Sequence, residues 1–354
     1  MRIAQIAPLY EAVPPRLYGG TERVVAHLTD ALVAEGHEVT LFASGDAETR
    51  AELVASRKQA LRLDPAPLKS DLASHLSLLH EVRRRANEFD VLHFHIDMLH
   101  FPLFESIAQR TLTTLHGRLD IADLSDTYRR WRQYPLVSIS NAQRLPLLDA
   151  NWYATVQHGM NATHYRFTPA VRDGYLAFLG RISPEKRPDR AITIARRSGI
   201  PVRIAAKVDQ VDRDYFEREI RPLLHSSLVE YVGEIGDDQK SEFLGNARAL
   251  LFPVDWPEPF GLVMIEAMAC GTPVIAWRCG SVPEVVDDGV TGFIVDNLAQ
   301  AIEAVKMAGH LPRDRIRAEF ERRFTAEAMA QRYAQLYWQL AGHRRAESLQ
   351  VTAA

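Results

Sequence analysis

Two glutamates eight positions apart, Glu258 and Glu266, lie in the stretch PEPFGLVMIEAMACGTPVIA, residues 257–276. Glu258 stands between two prolines, and Glu266 sits inside an otherwise apolar run. A carboxylate on an apolar face needs a partner, because an unpaired buried charge is costly. Glu266 is therefore either one half of a buried ion pair or a ligand for hydroxyl groups. Glu258 either complements a helix dipole or accepts hydrogen bonds from hydroxyls. Pro259 suits a first helical turn and Gly261 lets a ligand approach the backbone, so a helix is expected to begin just after Glu258. Glu266 then lies about 12 Å further along it. Upstream, Gly180 and Arg181 end an apolar run, and Lys186 follows in GRISPEKRPDR just before a helical pattern. Two cations beside a helix N-terminus suit a doubly charged anion, with the helix end contributing about 0.3–1 kcal/mol when exposed and up to about 2 when partly buried. The bland alternative is a solvated loop with surface cations. Carboxylates for hydroxyls beside cations for phosphate form the layout that a phosphorylated polyol requires.

The elements that must position these residues alternate between strand and helix. In the first half, RIAQIAP, VTLFAS, DVLHFHI, TLTTLHG, LVSIS and ATVQHG are short apolar runs. Between them lie helical patterns such as TERVVAHLTDALVAEGH, with Thr21 as N-cap and Gly36 as stop. Strands that are apolar on both faces belong in parallel sheets covered by helices. The rhythm restarts after TPAVRDG, residues 168–174, with YLAFLGR, PVRIAAK, VEYVGE, ALLFP, TPVIAW and GFIV. Helices are expected over RPDRAITIARRSG, DRDYFEREIRPLL and DDQKSEFLGNA. The chain of 354 residues thus reads as α/β, with two doubly wound domains, residues 1–168 and 169–324, and a last helix, 325–345, docking back on the first. Such sheets bind ligands at the carboxyl ends of their strands, and the candidate residues follow strands.

The motifs carry a resemblance. PEPFGLVMIEA resembles the E-x7-E motif of the retaining glycosyltransferases of family 4, and GRISPEK is similar to that family's phosphate-binding segment. YGGTE resembles its N-terminal glycine loop, and TLHG the strand end bearing its active-site histidine. The likeness runs in order from about residue 2 to residue 295. It implies a GT-B fold, two facing Rossmann-like domains with the active site in the cleft, the first taking the acceptor and the second the nucleotide-sugar. It further implies that Arg181 and Lys186 neutralise the diphosphate, Glu266 binds the ribose and Glu258 the transferred sugar. Backbone amides of Phe260, Gly261 and Leu262 would meet sugar and phosphate, and Gly19 and Gly20 would let the first domain close over the phosphates. His116 would lie near the sugar's C6 hydroxyl and the reacting face, and the base near Gly233 and Ile235. Arg16, Tyr18, His95 and Asp97 are the acceptor candidates. The leaving phosphate is implied to take the acceptor's proton on the same face, so configuration is retained and no enzymic nucleophile is named.

One turn departs from the family: an Asn-Gly-aliphatic-Asp sequence is expected where this chain has His158-Gly159-Met160-Asn161. Other signals read as structural. His93, His95 and Asp97 could line one face of a strand at metal-binding spacing, but no further ligand set stands out, and a place in the acceptor pocket is the preferred reading. Asp212 and Asp214 spell D-x-D but open a helix, where acids complement the dipole. The sequon at Asn161 and the only two cysteines, Cys270 and Cys279, carry no chemistry, and the cysteines suggest a reducing, cytoplasmic setting. TYRRWRQYP, around Trp131, reads as an amphipathic surface helix with at most peripheral membrane contact. A net charge of −3 gives no electrostatic case for nucleic acid. The expected activity is metal-independent hexosyl transfer to a glycan, lipid or small metabolite, with no cofactor beyond the nucleotide-sugar co-substrate. Two other readings share the motifs: a nucleotide-sugar 2-epimerase of GT-B fold, and a sugar-nucleotide binding protein without turnover.

Overall fold

The computed structural model describes residues 1–16, 19–171 and 174–352, with side chains as far as Gly342. The chain divides into two compact units, Met1–Met160 with Ala326–Ala354, and Asn161–Thr325.

In the first unit, β1 (Arg2–Ile6), β2 (Glu38–Ser44), β3 (Glu52–Arg57), β4 (Val91–Phe94), β5 (Thr111–Thr114), β6 (Leu136–Ser138) and β7 (Trp152–Thr155) form a parallel sheet in the order β3-β2-β1-β4-β5-β6-β7. β1 is the pivot, with Ile3 opposite Val39 on one side and Val91 on the other. Its near-continuous apolar run reflects burial on both faces. β3 was not evident in the sequence. It is a half-buried edge strand carrying Glu52 and Arg57, without the unbroken apolar run that marks the central strands. The helix Gly20–Ala34 buries Val24, Val25, Leu28 and Leu32. Its N-cap is Gly19 rather than Thr21, which lies inside the first turn. The helix Ala326–Thr352 belongs to this unit and buries Met329, Tyr333 and Tyr337. The Ala326 N–H donates to the Met160 carbonyl at 2.9 Å. Around Trp131, Tyr128 and Tyr134 are buried and Trp131 packs on the core, leaving Arg129 and Arg132 outward.

In the second unit, β8 (Tyr175–Arg181), β9 (Val202–Lys207), β10 (Val229–Gly233), β11 (Ala247–Phe252), β12 (Val274–Trp277) and β13 (Gly292–Val295) form a second parallel sheet, β10-β9-β8-β11-β12-β13. Residues 161–168, expected in the first domain, belong here. Thr168 N–H donates to the Cys270 carbonyl at 3.1 Å, and Arg317 donates to the Tyr165 carbonyl at 3.0 Å. The single helix expected over DRDYFEREIRPLL is instead an α-turn at Arg213–Tyr215, a π-turn at Phe216–Ile220 and a 3-10 segment at Arg221–His225. Pro222 lacks the N–H that a continuous α-helix requires.

Candidate active site

The order of each sheet reverses at one place, between β1 and β4 in the first unit and between β8 and β11 in the second. Open α/β sheets bind ligands outside the strand carboxyl ends at such switch points. In the second unit Arg181 closes β8 and Glu258 follows β11, and in the first Gly19 follows β1 and Asp97 follows β4.

In the second unit, Arg181 closes β8 and Lys186 ends the short turn Pro184–Lys186. The next residue, Arg187, takes left-handed backbone angles (φ 53°) as N-cap of the helix Pro188–Ser198. That conformation is strained for a residue with a Cβ and persists only when the surroundings fix it. Here Arg187 is clamped to Asp189 and Asp255, both at 2.7 Å. Asp255 follows β11, and its N–H donates to the Glu185 carbonyl at 2.8 Å. The loops after β8 and β11 are thereby stitched together, which brings the Lys186 ammonium onto the Glu258 carboxylate. Trp256 Nε1 also donates to Glu258, at 3.0 Å, and Lys186 lies over the Trp256 ring, 5.2 Å from its centroid.

Both cations are paired and only partly exposed. Arg181 pairs with Glu185, with Asp212 at 3.5 Å and with Asp209 at 3.8 Å. Burial raises the Asp212 carboxyl above its ordinary range. Asp212 thus faces Arg181 instead of serving as the helix-capping acid expected from D-x-D. The strand-end cations are held by carboxylates, and an incoming diphosphate must exchange partners with them.

The loop carrying Glu258 is also built differently from the expectation. The helix is Leu262–Ala269, capped by Gly261 at φ 77°, so Pro259 and Glu258 belong to the preceding loop. A Cβ on Gly261 would meet the Phe252 ring at 2.8 Å, which restricts the position to glycine. Phe260 is buried, and its carbonyl accepts the Ser281 hydroxyl at 2.8 Å, while Leu262 is half-buried. Gly280 packs so closely that a Cβ there would lie 2.4 Å from the Glu258 carbonyl oxygen.

Glu266 is 3% exposed and bonded to Lys240 Nζ at 2.8 Å and the Tyr165 hydroxyl at 3.0 Å, the buried ion pair that its position on an apolar face required. Lys240 also meets Asp237 at 3.1 Å, so Glu266 is anchored to the helix Asp237–Gly245. Gly233 and Ile235 lie just ahead of that helix, Gly233 ending the edge strand β10 at φ 79° with open space where a Cβ would project. Glu266 is thus tied to the helix that Gly233 and Ile235 precede, and Glu258 to Lys186 in the loop that follows Arg181.

In the first unit, Gly19 packs against Pro15 with no room for a Cβ (2.7 Å), and Gly20 opens the helix behind it. Arg16 is exposed, and Tyr18 lies outside the described residues. Glu22, in the helix's first turn, is 5% exposed, and burial raises its carboxyl. After β4, Asp97 has left-handed angles (φ 50°). It keeps an exposed face, yet the protein around it pushes its carboxyl up to about 6 through desolvation. His95, expected against the acceptor, is 4% exposed with both ring nitrogens engaged, Nε2 by Gln5 Oε1 at 2.8 Å and Nδ1 by His116 Nε2 at 2.9 Å. It is thus withdrawn from direct contact with a ligand. His93 is likewise satisfied, by Thr114 and Tyr337, each at 2.7 Å. His116 follows β5, stacks on His158 with ring centroids 5.2 Å apart, and burial lowers its pKa to about 3. Sequence reasoning did not single out Trp256, Lys240, Asp209, Gly280 or Gln5. Only their distant partners in the fold reveal them.

Comparisons with known proteins bear on the family and the fold. The model of glycosyl transferases group 1 matches residues 164–328, and that of glycosyltransferase family 4 matches residues 18–150. A phosphatidyl-myo-inositol mannosyltransferase of Mycolicibacterium smegmatis is 26% identical over 90% of this chain and 87% of its own length. An alpha-maltose-1-phosphate synthase of Mycobacterium tuberculosis is 28% identical over 54% of this chain, and the match spans 60% of that relative's length. Among solved structures, the sucrose-phosphate synthase of Thermosynechococcus elongatus superposes with a TM-score of 0.76 at 20% identity, covering 97% of this chain and 99% of that one.

Proposed function

The chain belongs with the glycosyltransferases of GT-B fold, and on that premise we propose that it moves a hexosyl group from a nucleotide-sugar to an acceptor hydroxyl, with retention and without a metal ion. The observation that carries this reading is the convergence of Arg181, Lys186 and Glu258 where the second sheet reverses its order.

Breaking the bond from the anomeric carbon to phosphate leaves positive character on the sugar ring and negative charge on the diphosphate. Arg181, Lys186 and the backbone N–H groups at the start of the helix Leu262–Ala269 stabilise that charge as preorganised donors. Glu258 exchanges Lys186 for sugar hydroxyls as the diphosphate takes the ammonium. Phe260, Gly261 and Leu262 meet the donor through backbone. Glu266 binds ribose hydroxyls beside Lys240, and the base lies along Gly233 and Ile235. In the first unit Gly19 and Gly20 admit phosphate, His116 meets the reacting sugar, and Arg16, Tyr18 and Asp97 meet the acceptor. The departing phosphate oxygen accepts the acceptor's proton. Glycan, lipid and small-metabolite acceptors all fit this reading, and the mannosyltransferase relative, named for phosphatidyl-myo-inositol, makes a lipid headgroup the first to try.

The test is turnover of UDP-glucose and GDP-mannose, in EDTA, by wild type and Glu258→Ala. Release of nucleoside diphosphate that disappears in the variant supports the reading. Release that survives the substitution, or that requires added divalent cation, refutes the corresponding part of it.

A further inference from the structure

The first unit contains a run of buried polar side chains that the proposed chemistry does not use directly. Gln5, on β1, has no exposed surface. Its Nε2 donates to the Tyr337 hydroxyl at 3.0 Å, and its Oε1 faces His95 Nε2 at 2.8 Å. Tyr337 faces His93 Nδ1 at 2.7 Å. His95 Nδ1 in turn faces His116 Nε2 at 2.9 Å.

With the amide placed as in the structure, the bonds from Gln5 through His95 to His116 have one consistent direction. An amide oxygen only accepts, so His95 Nε2 must carry its proton. Burial disfavours the charged form of His95, so the ring is neutral and its Nδ1 is a bare acceptor. His116 Nε2 must therefore donate to it. His116 is also neutral, for the same reason, and its second nitrogen holds a lone pair. That atom, Nδ1, is buried and has no hydrogen-bond partner among the described residues. At the other end, the amide N–H is taken up by the Tyr337 hydroxyl, which also lies 2.7 Å from His93 Nδ1.

We infer that Gln5 and His95 are positioning residues that lock His116 in its Nε2–H tautomer, presenting Nδ1 at the strand ends as an acceptor for a ligand hydroxyl. A lone pair there binds an O–H and repels phosphate and carboxylate oxygens. The part of this inference that concerns turnover rests on the proposed hexosyl transfer; the tautomer itself does not.

The test is two-bond 1H–15N NMR of the full chain labelled with 15N-histidine at pH 7, the His116 signals being identified by their loss in His116→Asn. The expected wild-type spectrum shows His116 with Nε2 protonated and Nδ1 at the unprotonated, acceptor shift. Gln5→Met removes the acceptor for His95, and Tyr337→Phe removes the acceptor of the amide N–H. Both should give His116 an exchange-averaged mixture of tautomers. Donor turnover with UDP-glucose or GDP-mannose should then fall roughly 3- to 10-fold, the worth of one hydrogen bond, with helical circular dichroism unchanged. A wild-type His116 protonated at Nδ1 overturns the inference without recourse to any variant. So does a His116 signal unmoved in folded Gln5→Met. Absence of turnover in wild type would instead count against the proposed function, because the spectrum is read without substrate.

Discussion

Glu258→Gln should separate two properties that most active-site substitutions lower together. In the present state the carboxylate holds the Lys186 ammonium, and the two side chains are only 12% and 17% exposed. A hydrogen bond to a charged group in such a place is worth about 1.5–3 kcal/mol. A nucleoside diphosphate must break that bond to reach Lys186, so part of its binding energy is cancelled. Glutamine is nearly isosteric and still accepts from Trp256, but it releases the ammonium and removes a negative charge facing the phosphates. If about 1–2 kcal/mol of the cancelled energy is recovered, UDP or GDP should bind roughly 5- to 30-fold tighter. The intact nucleotide-sugar loses a hydroxyl acceptor at the same time, so its affinity should gain far less or fall. Isothermal titration of UDP, GDP, UDP-glucose and GDP-mannose against both proteins measures the contrast. The reasoning fails if the folded variant binds the free diphosphate no better than wild type, or weakens diphosphate and nucleotide-sugar by the same factor.

Three further outcomes follow from the geometry. Lys240→Met leaves the Glu266 carboxylate buried with its ammonium partner gone, and should destabilise the second unit by about 3–5 kcal/mol, or about 10 °C in Tm, most of it recovered in the double variant with Glu266→Gln. Gly280→Ala forces a Cβ against the backbone of Glu258 and adds strain at φ 54°; transfer should fall at least tenfold while nucleotide binding near Gly233 persists, a split visible in kcat against KM. Asp97 has a folded-state pKa of about 6, above its ordinary 3.8, so the native state binds more protons than the unfolded chain between those values and loses stability as pH rises through that window. Asp97→Asn should therefore raise Tm at pH 8 and leave it unchanged at pH 3.5, which differential scanning fluorimetry across pH will show.

Much of the fold could be read from the chain because both sheets are parallel and covered. Strands such as YLAFLGR and TPVIAW are unbroken apolar runs, and periodicity finds them without knowledge of their neighbours. The half-buried edge strand Glu52–Arg57 lacks that mark, and the disrupted helix after Arg213 hid its irregularity behind a favourable composition. At the site, the placement of Arg181 and Lys186 is legible, because Arg181 closes an apolar strand and Lys186 stands in the short turn after it. Their carboxylate partners are not, since Asp209 and Asp212 arrive from the end of the adjacent β9 and Glu258 from beyond β11. The same holds for Glu266, whose apolar surroundings announced a partner without saying that it would be Lys240. His95 shows the opposite error: its position after a strand suggested ligand contact, while its neighbours in the folded sheet consume both nitrogens.

The helix Ala326–Thr352, which supplies Tyr333 and Tyr337 to the first unit, is made after both sheets, whereas the sheet it completes is made before the second one. During synthesis the nascent first sheet therefore holds Gln5, His93 and Thr114 without the phenols that satisfy them, and these unmet polar groups keep it short of its final stability. The intervening second unit can finish in the meantime, since its strands are contiguous in the chain. Emergence of Tyr337 from the ribosome, rather than of residue 160, is then the moment at which the first unit becomes native, and a chain truncated before Tyr333 should leave that unit open to proteolysis while the second resists.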